Sequence, residues 1–339
     1  MNGARIRVLV VDDSAFARKV LRETLAAQPA IEVVGIARDG LEALEKIAEL
    51  HPDVVTLDLV MPNLDGLGVL RALPAEGGPR ILVVSISDLN SAIAIEALQI
   101  GAFDLIQKPT ALATNRMYEL ADDLVAKVLA AGAARSRRAE APPPQRPARR
   151  ASGAVRLVVI GTSTGGPQAL SRILPTLPRD LPCAVAVALH IPAGYTRSLA
   201  ERLDEACAVH VYEATDGGTL APGSVAIAPG GMDMRLGGSD ALTTHILPAP
   251  ATHALSPSVD ALFESASVLG PAVLGVVLTG MGNDGVKGAR AIRDAGGGVI
   301  TEAEASCVVY GMPRAVSEAG LSDGAVVLDD LVAEILARL

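Results

Sequence analysis

The sequence predicts an α/β protein of two domains. Residues 1–130 form an N-terminal (βα)5 unit, and residues 154–339 form a doubly wound parallel sheet with a small antiparallel insertion. Two observations predict this. Short apolar runs rich in valine and isoleucine alternate with amphipathic segments, the pattern of parallel strands covered by helices on both faces. Between the halves the alternation stops: residues 131–153 are rich in proline and arginine and have no hydrophobic periodicity. Such a stretch cannot bury enough apolar surface to order itself and reads as a linker, semi-extended around Pro142 to Pro144.

In the first half the strand "RIRVLVV" precedes the helical "AFARKVLRETLAAQ". Then come "IEVVGIA", "GLEALEKIAEL", "DVVTLDL", "GLGVLRAL", "RILVVSIS", "SAIAIEALQIGA" and "FDLIQK", closed by a helix to about residue 130. Ligands of such sheets sit at the carboxyl ends of the strands. The first strand ends in Asp12 and Asp13, the third in Asp58, the fourth in Ser85, and the fifth in Lys108 followed by Pro109. A lone aspartate there would be a helix cap or a turn residue. Three converging carboxylates repel one another unless a divalent cation joins them, and hard oxygen ligands suit Mg2+. A lysine and a hydroxyl alongside suit a phosphoryl group.

These residues resemble a response-regulator receiver domain over residues 4 to about 125. The resemblance makes Asp58, within "VTLDLVMPNLDG", the phosphoacceptor. It gives the Mg2+ to Asp12 and Asp13, with Asp13 and Asp58 as metal residues, the hydroxyl role to Ser85, and the phosphoryl pairing to Lys108. Leu105 stands where many receivers carry an aromatic switch residue.

The second half opens with "VRLVVIG" and the loop of Ser163, followed by a helix from about Pro167. "CAVAVAL" ends in His190 before the helical "IPAGYTRSLAERLDEA". "AVHVYEA" and "SVAIAPG" bracket a turn-rich stretch, and "DMRLGG" with "ALTTHIL" reads as a hairpin. The helix "SVDALFESASVLG", the buried strand "AVLGVVL" and the loop and helix of "TGMGNDGVKGARAIRDA" follow.

Three apolar strands thus lead into Ser163, His190 and Asp284. A serine hydroxyl is a poor nucleophile until a base takes its proton, and histidine does so near neutral pH. A carboxylate on the other ring nitrogen fixes the tautomer. Singly, Ser163 could be a helix N-cap, Asn283-Asp284-Gly285 a turn, and His190 a structural hydrogen bonder. Their joint arrival at three strand ends favours the triad. His210 falls within a strand pattern, His51 at a helix end, and His245 and His253 flank "ILPAPAT", outside any obvious parallel strand end. The loop has neither a Walker A motif nor G-x-G-x-x-G spacing. The order serine, histidine, acid also differs from that of α/β-hydrolases.

That order resembles the chemotaxis protein-glutamate methylesterase (CheB) family, as do "GTSTGGP", "LHIPAGYTRSLAERL", "IAPGG", "PSVDALF", "LTGMGNDG" and "EASCVVYGMPRAV". The resemblance implies a triad of Ser163, His190 and Asp284, with the oxyanion donor at the backbone N–H of Met281 and Thr164 as the alternative. It further implies demethylation of glutamate methyl esters, and deamidation of certain glutamines, on chemoreceptor helices. Control would come from phosphorylation by a chemotaxis histidine kinase, with the resting receiver covering the catalytic mouth, and the esterase chemistry would need no cofactor. The family's His-Arg-Pro-Ser-Val-Asp run is altered here, where "HALSPSVDALF" stands.

Bulk properties narrow the alternatives. The formal charge is −9 over 339 residues, and the segment 132–152, with six arginines and one glutamate, carries +5, leaving −14 on the rest. An acidic chain with 2% aromatic residues and no tryptophan is a poor binder of duplex or single-stranded nucleic acid. No apolar run reaches membrane-span length and the N-terminus reads as a strand, so a cytoplasmic protein without membrane insertion is expected. Three scattered cysteines without C-x-x-C argue against a disulfide framework or a thiolate zinc site. The same hydrolase machinery on another ester, or an adaptor without activity, are the rival readings.

Overall fold

The structure is a computed structural model. It describes residues 5–74, 77–86, 91–108, 120–136, 155–238, 241–250 and 256–339. The chain divides into two compact units, Met1–Glu140 and Ala141–Leu339.

The first unit is a parallel five-stranded sheet in the order β2-β1-β3-β4-β5. Its strands are β1 (Ile6–Val11), β2 (Ile31–Ala37), β3 (Val54–Leu57), β4 (Arg80–Ile86) and β5 (Asp104–Lys108). Helices α1 (Ala15–Ala26), α2 (Gly40–Leu50), α3 (Gly66–Ala72), α4 (Ser91–Gln99) and α5 (Ala121–Ser136) connect and close it. The strand order reverses between β1 and β3, so a crevice opens at their carboxyl ends. Side-chain caps start the helices around it. Ser14 Oγ accepts from Ala17 N–H at 3.3 Å, and Asp39 Oδ1 accepts from Glu42 N–H at 2.9 Å.

One boundary differs from expectation. Helix α5 runs to Ser136, six residues into the stretch read as linker. The run "VLAAGAA" is rich in alanine, the strongest helix former, and Gly132 packs where a Cβ would lie 2.5 Å from Ile6. Packing against β1 therefore carries the helix past the point where apolar periodicity fades. Residues 137–153 of that stretch, Pro109, and His253 with the altered loop through residue 255 lie outside the described residues.

The second unit holds a seven-stranded sheet in the order β15-β14-β13-β6-β7-β10-β8, parallel at every pairing. Its strands are β6 (Leu157–Thr162), β7 (Ala184–Leu189), β8 (His210–Glu213), β10 (Ser224–Ile227), β13 (Val273–Val277), β14 (Gly298–Glu302) and β15 (Ala325–Val326). Every residue of β6, β7 and β13 is buried, as near-continuous apolar strands require when both faces are covered. The expected insertion is a three-stranded antiparallel sheet of β9 (Thr219–Leu220), β11 (Met232–Gly237) and β12 (Leu242–Pro248). The helices are α6 (Gly166–Ile173), α7 (Thr196–Ala206), α8 (Val259–Ala266), α9 (Val286–Asp294), α10 (Met312–Glu318) and α11 (Leu331–Leu336). From β6 the sheet grows one way through β7 and then returns to start again at β13. The switch point of this unit thus lies between β6 and β13.

Candidate active site and acidic pocket

At the switch point of the first unit, oxygens of Asp12, Asp13 and Asp58 lie within 4.8 Å of one another. Lys108 Nζ sits 2.6 Å from Asp12 Oδ2 and 2.7 Å from Asp58 Oδ2. Asp12 and Asp58 are buried and Asp13 is exposed. Burial pushes the Asp12 carboxyl up, more than Lys108 pulls it down. Burial also opposes the Lys108 ammonium, yet Asp12 and Asp58 together hold it above its usual value. Three hard oxygen donors around one opening, with the Lys108 ammonium among them and, among the described residues, the Arg18 guanidinium on the Asp12 and Asp13 carbonyls at 2.6 and 2.9 Å, fit a divalent cation. Ser85 Oγ is buried with no hydrogen-bond partner among the described residues. Leu105 is buried in β5, and its carbonyl accepts from Lys127 Nζ of α5 at 2.7 Å.

In the second unit the Ser163 loop follows β6. Helix α6 is capped by Gly165, at φ +82°, with no side-chain cap bond, so Ser163 is not the N-cap. A Cβ at Gly165 would also lie 2.6 Å from Val308. Ser163 N–H donates to Thr279 O at 3.0 Å, and Ser163 O accepts from Gly166 N–H at 2.7 Å, which fixes the backbone of the turn. Gly280 packs so closely that a Cβ there would stand 2.7 Å from Ser163 Cβ.

His190 directly follows β7, the neighbour of β6, and its N–H donates to Thr162 O at 3.0 Å. Its ring Nε2 lies 2.8 Å from Asp284 Oδ2, and its Nδ1 is buried with no partner among the described residues. Ser163 Oγ and His190 Nδ1 are therefore not hydrogen-bonded here. The other described histidines stand elsewhere: exposed His210 pairs with Asp204 at 2.9 Å, His245 lies on β12, and His51 ends α2.

Asp284 does more than face the imidazole. Its oxygens accept from Val259 N–H (2.8 Å), Asp260 N–H (2.9 Å) and Gly285 N–H (3.0 Å), so it sits on the N-terminus of α8. In return Asp260 Oδ1 accepts from Gly285 N–H (2.9 Å) and Gly288 N–H (2.8 Å) at the start of α9. Burial opposes the Asp284 charge, but His190 and the backbone donors hold its carboxyl below the usual range. Burial instead pushes Asp260 up. Both carboxylates sit at helix ends, so the imidazole accounts for the difference: His190 holds Asp284 down, whereas Asp260 faces the Asp284 charge instead.

The loop after β13 carries Gly280 and Met281. Gly280 O accepts from Gly311 N–H (3.1 Å) and Met312 N–H (2.9 Å), and Gly280 N–H donates to Val309 O (3.0 Å). Met281 N–H enters no hydrogen bond among the described residues. Thr164 is buried, with its carbonyl accepting from Thr279 Oγ1 at 2.9 Å.

Residues 158–335 match the CheB methylesterase family, and residues 8–119 match the response regulator receiver domain. The chain belongs to the CheB methylesterase family. A protein-glutamate methylesterase/protein-glutamine glutaminase of Myxococcus xanthus is 57% identical over 97% of this chain and 96% of its own. One of Symbiobacterium thermophilum is 47% identical over 93% of this chain and 92% of its own. The crystal structure of the Thermotoga maritima CheB methylesterase catalytic domain covers 55% of this chain and 100% of its own length, at 36% identity and a TM-score of 0.53.

Sequence reasoning did not single out Asp260, Thr279 or Glu302. Asp260 had a signal, an acid in the first turn of α8, two residues after Ser258, whose hydroxyl caps the helix by accepting from Ala261 N–H at 3.2 Å. Among the described residues, no helix is long and apolar enough to cross a membrane.

Proposed function

We propose that this chain is a phosphorylation-gated serine hydrolase of the cytoplasm. It cleaves glutamate methyl esters on chemoreceptor helices, releasing methanol, and deamidates certain receptor glutamines, releasing ammonia. The observation that carries this reading is the part-buried His190–Asp284 pair, with Nδ1 uncommitted and His190 on the loop adjoining Ser163.

Asp284 Oδ2 accepts from the Nε2–H of His190, so the working tautomer keeps its lone pair on Nδ1. Nδ1 takes the Ser163 hydroxyl proton as Oγ attacks the γ-carbonyl carbon. The oxyanion that forms accepts a hydrogen bond from Met281 N–H, with Thr164 as the second candidate donor. One such donor supplies about 10²–10³ in rate. The imidazolium then gives its proton to the departing methanol or ammonia. Water repeats the attack on the acyl-enzyme and leaves a glutamate.

Asp58 accepts a phosphoryl group from a chemotaxis histidine kinase. Asp13 and Asp58, with Asp12 alongside, would hold Mg2+, which when bound offsets charge on the transferring group. Lys108 pairs with a phosphoryl oxygen and the Ser85 hydroxyl donates to another. The modification turns one carboxylate into a larger, more strongly negative acceptor and so biases the resting and active arrangements differently.

The test is methanol release from methylated receptor, with and without a small-molecule phosphodonor, for wild type and Ser163→Ala. Release that rises with the donor and vanishes in the variant is expected. Release that survives Ser163→Ala would remove the nucleophile from this reading. Absent release from folded, phosphorylated wild type would point to another ester or to an adaptor.

A further inference from the structure

Behind the Ser163 loop lies a buried acid that the mechanism does not use. Glu302, the last residue of β14, is fully buried. Beyond Val277 the chain continues along β6: Leu278 N–H donates to Gly161 O at 2.9 Å, and Thr279 O accepts from Ser163 N–H (3.0 Å) and Thr162 Oγ1 (2.9 Å). On its other side the ladder to β14 stops at the Val277 and Thr301 pairing. There the Glu302 side chain replaces a backbone carbonyl, with Oε2 accepting from Thr279 N–H at 2.8 Å. The Thr279 hydroxyl donates to Thr164 O and accepts from Val309 N–H, both at 2.9 Å. Thr279 leads straight into Gly280 and Met281. One residue, Thr279, thus ties the nucleophile turn to the Met281 loop, and Glu302 holds its N–H.

Resting on the acyl-transfer reading above, we propose that Glu302 is a positioning residue of the esterase site. Its carboxyl oxygen fixes the Thr279 peptide and, through it, the spacing between Ser163 and Met281 N–H. The other oxygen, Oε1, is buried without a hydrogen-bond partner among the described residues. Burial pushes the Glu302 carboxyl up. Thr279 N–H, then Ser306 and Cys307 of the following turn and, most weakly, the Arg172 cation pull it the other way. The carboxyl oxygen in this place serves as the acceptor for one backbone N–H, a role that glutamine reproduces and leucine does not.

The full chain, labelled by a fluorophosphonate probe, tests this. Ser163 Oγ bonds to phosphorus, fluoride leaves, and His190 takes the hydroxyl proton, so no receptor is needed and an error in the substrate leaves the test intact. Glu302→Gln is expected to label within about twofold of wild type, and Glu302→Leu about 10- to 100-fold more slowly, on the scale of a displaced oxyanion donor. Both rates are read beside a thermal melt. A folded Glu302→Leu that labels at the wild-type rate overturns the proposal, since a purely structural role would move the melt alone. Glu302→Gln decides by itself if Glu302→Leu does not fold: wild-type labelling supports the proposal and slow labelling overturns it. Wild type that takes no label at Ser163 overturns the acyl-transfer reading and this proposal together.

Discussion

Two acidic clusters occupy the same place in two different sheets, the switch point at the carboxyl ends of parallel strands, and they are neutralised by opposite means. In the first unit Asp12, Asp13 and Asp58 face the Lys108 ammonium, with the Arg18 guanidinium on two of their backbone carbonyls, so among the described residues negative charge is left over. In the second unit Asp284 is surrounded by three backbone N–H groups and an imidazole, and its carboxyl is held low. The first arrangement leaves a negative surplus, which a divalent cation would offset. The second gathers peptide dipoles and an imidazole around one carboxylate, and the other ring nitrogen of His190 stays uncommitted among the described residues. The topology says where a site lies; the partners of its carboxylates say what kind of site it is.

The largest expected effect breaks the second cluster. Asp284→Asn, measured by methanol release, is expected to lose about 10³–10⁴ in kcat, because an amide favours the wrong imidazole tautomer. Its melting temperature should fall as well, since α8 loses a charged acceptor. Next comes Asp58→Asn, which should abolish the increase in methanol release on adding phosphodonor. An undiminished increase would mean that the first cluster is not the phosphoacceptor. Asp260→Ala sharpens the contrast between capping and catalysis. It removes the acceptor of Gly285 and Gly288 N–H and should cost about 1–2 kcal/mol in denaturant unfolding, with kcat reduced far less than in Asp284→Asn.

The smallest effect is a pair of opposite pH slopes. The folded carboxyl of Asp284 lies below its ordinary 3.8, so its contribution is present above that value and is lost as pH falls through the folded value. That of Glu302 lies above its ordinary 4.5, so stability falls as pH rises from 4.5 toward the folded value. Thermal melts of Glu302→Gln against wild type should therefore diverge as pH is raised, with the variant gaining. Parallel curves would mean that burial does not raise the Glu302 carboxyl.

Both sheets and the residues at their strand ends were legible in the sequence because one periodicity fixes them: an apolar run ends where the loop residues begin. What was not legible depends on burial and on bonds between distant segments. Glu302 reads as an ordinary acid before "AEAS", and only its 2.8 Å bond to Thr279, across 23 residues, makes it part of a site. Asp260 reads as a first-turn acid of α8, whereas its side chain serves α9. The reach of α5 to Ser136 was hidden because arginine-rich composition masks alanine's helical preference.

The reciprocal hold of Asp284 on α8 and Asp260 on α9 constrains how such a protein can lose its activity over evolutionary time. A lineage drifting toward a silent phosphorylation-dependent adaptor can discard Ser163 at little cost to folding, since its hydroxyl caps no helix. Discarding Asp284 would unfasten the start of a helix along with the reaction. In decayed descendants of this architecture the serine should therefore disappear first and the aspartate last.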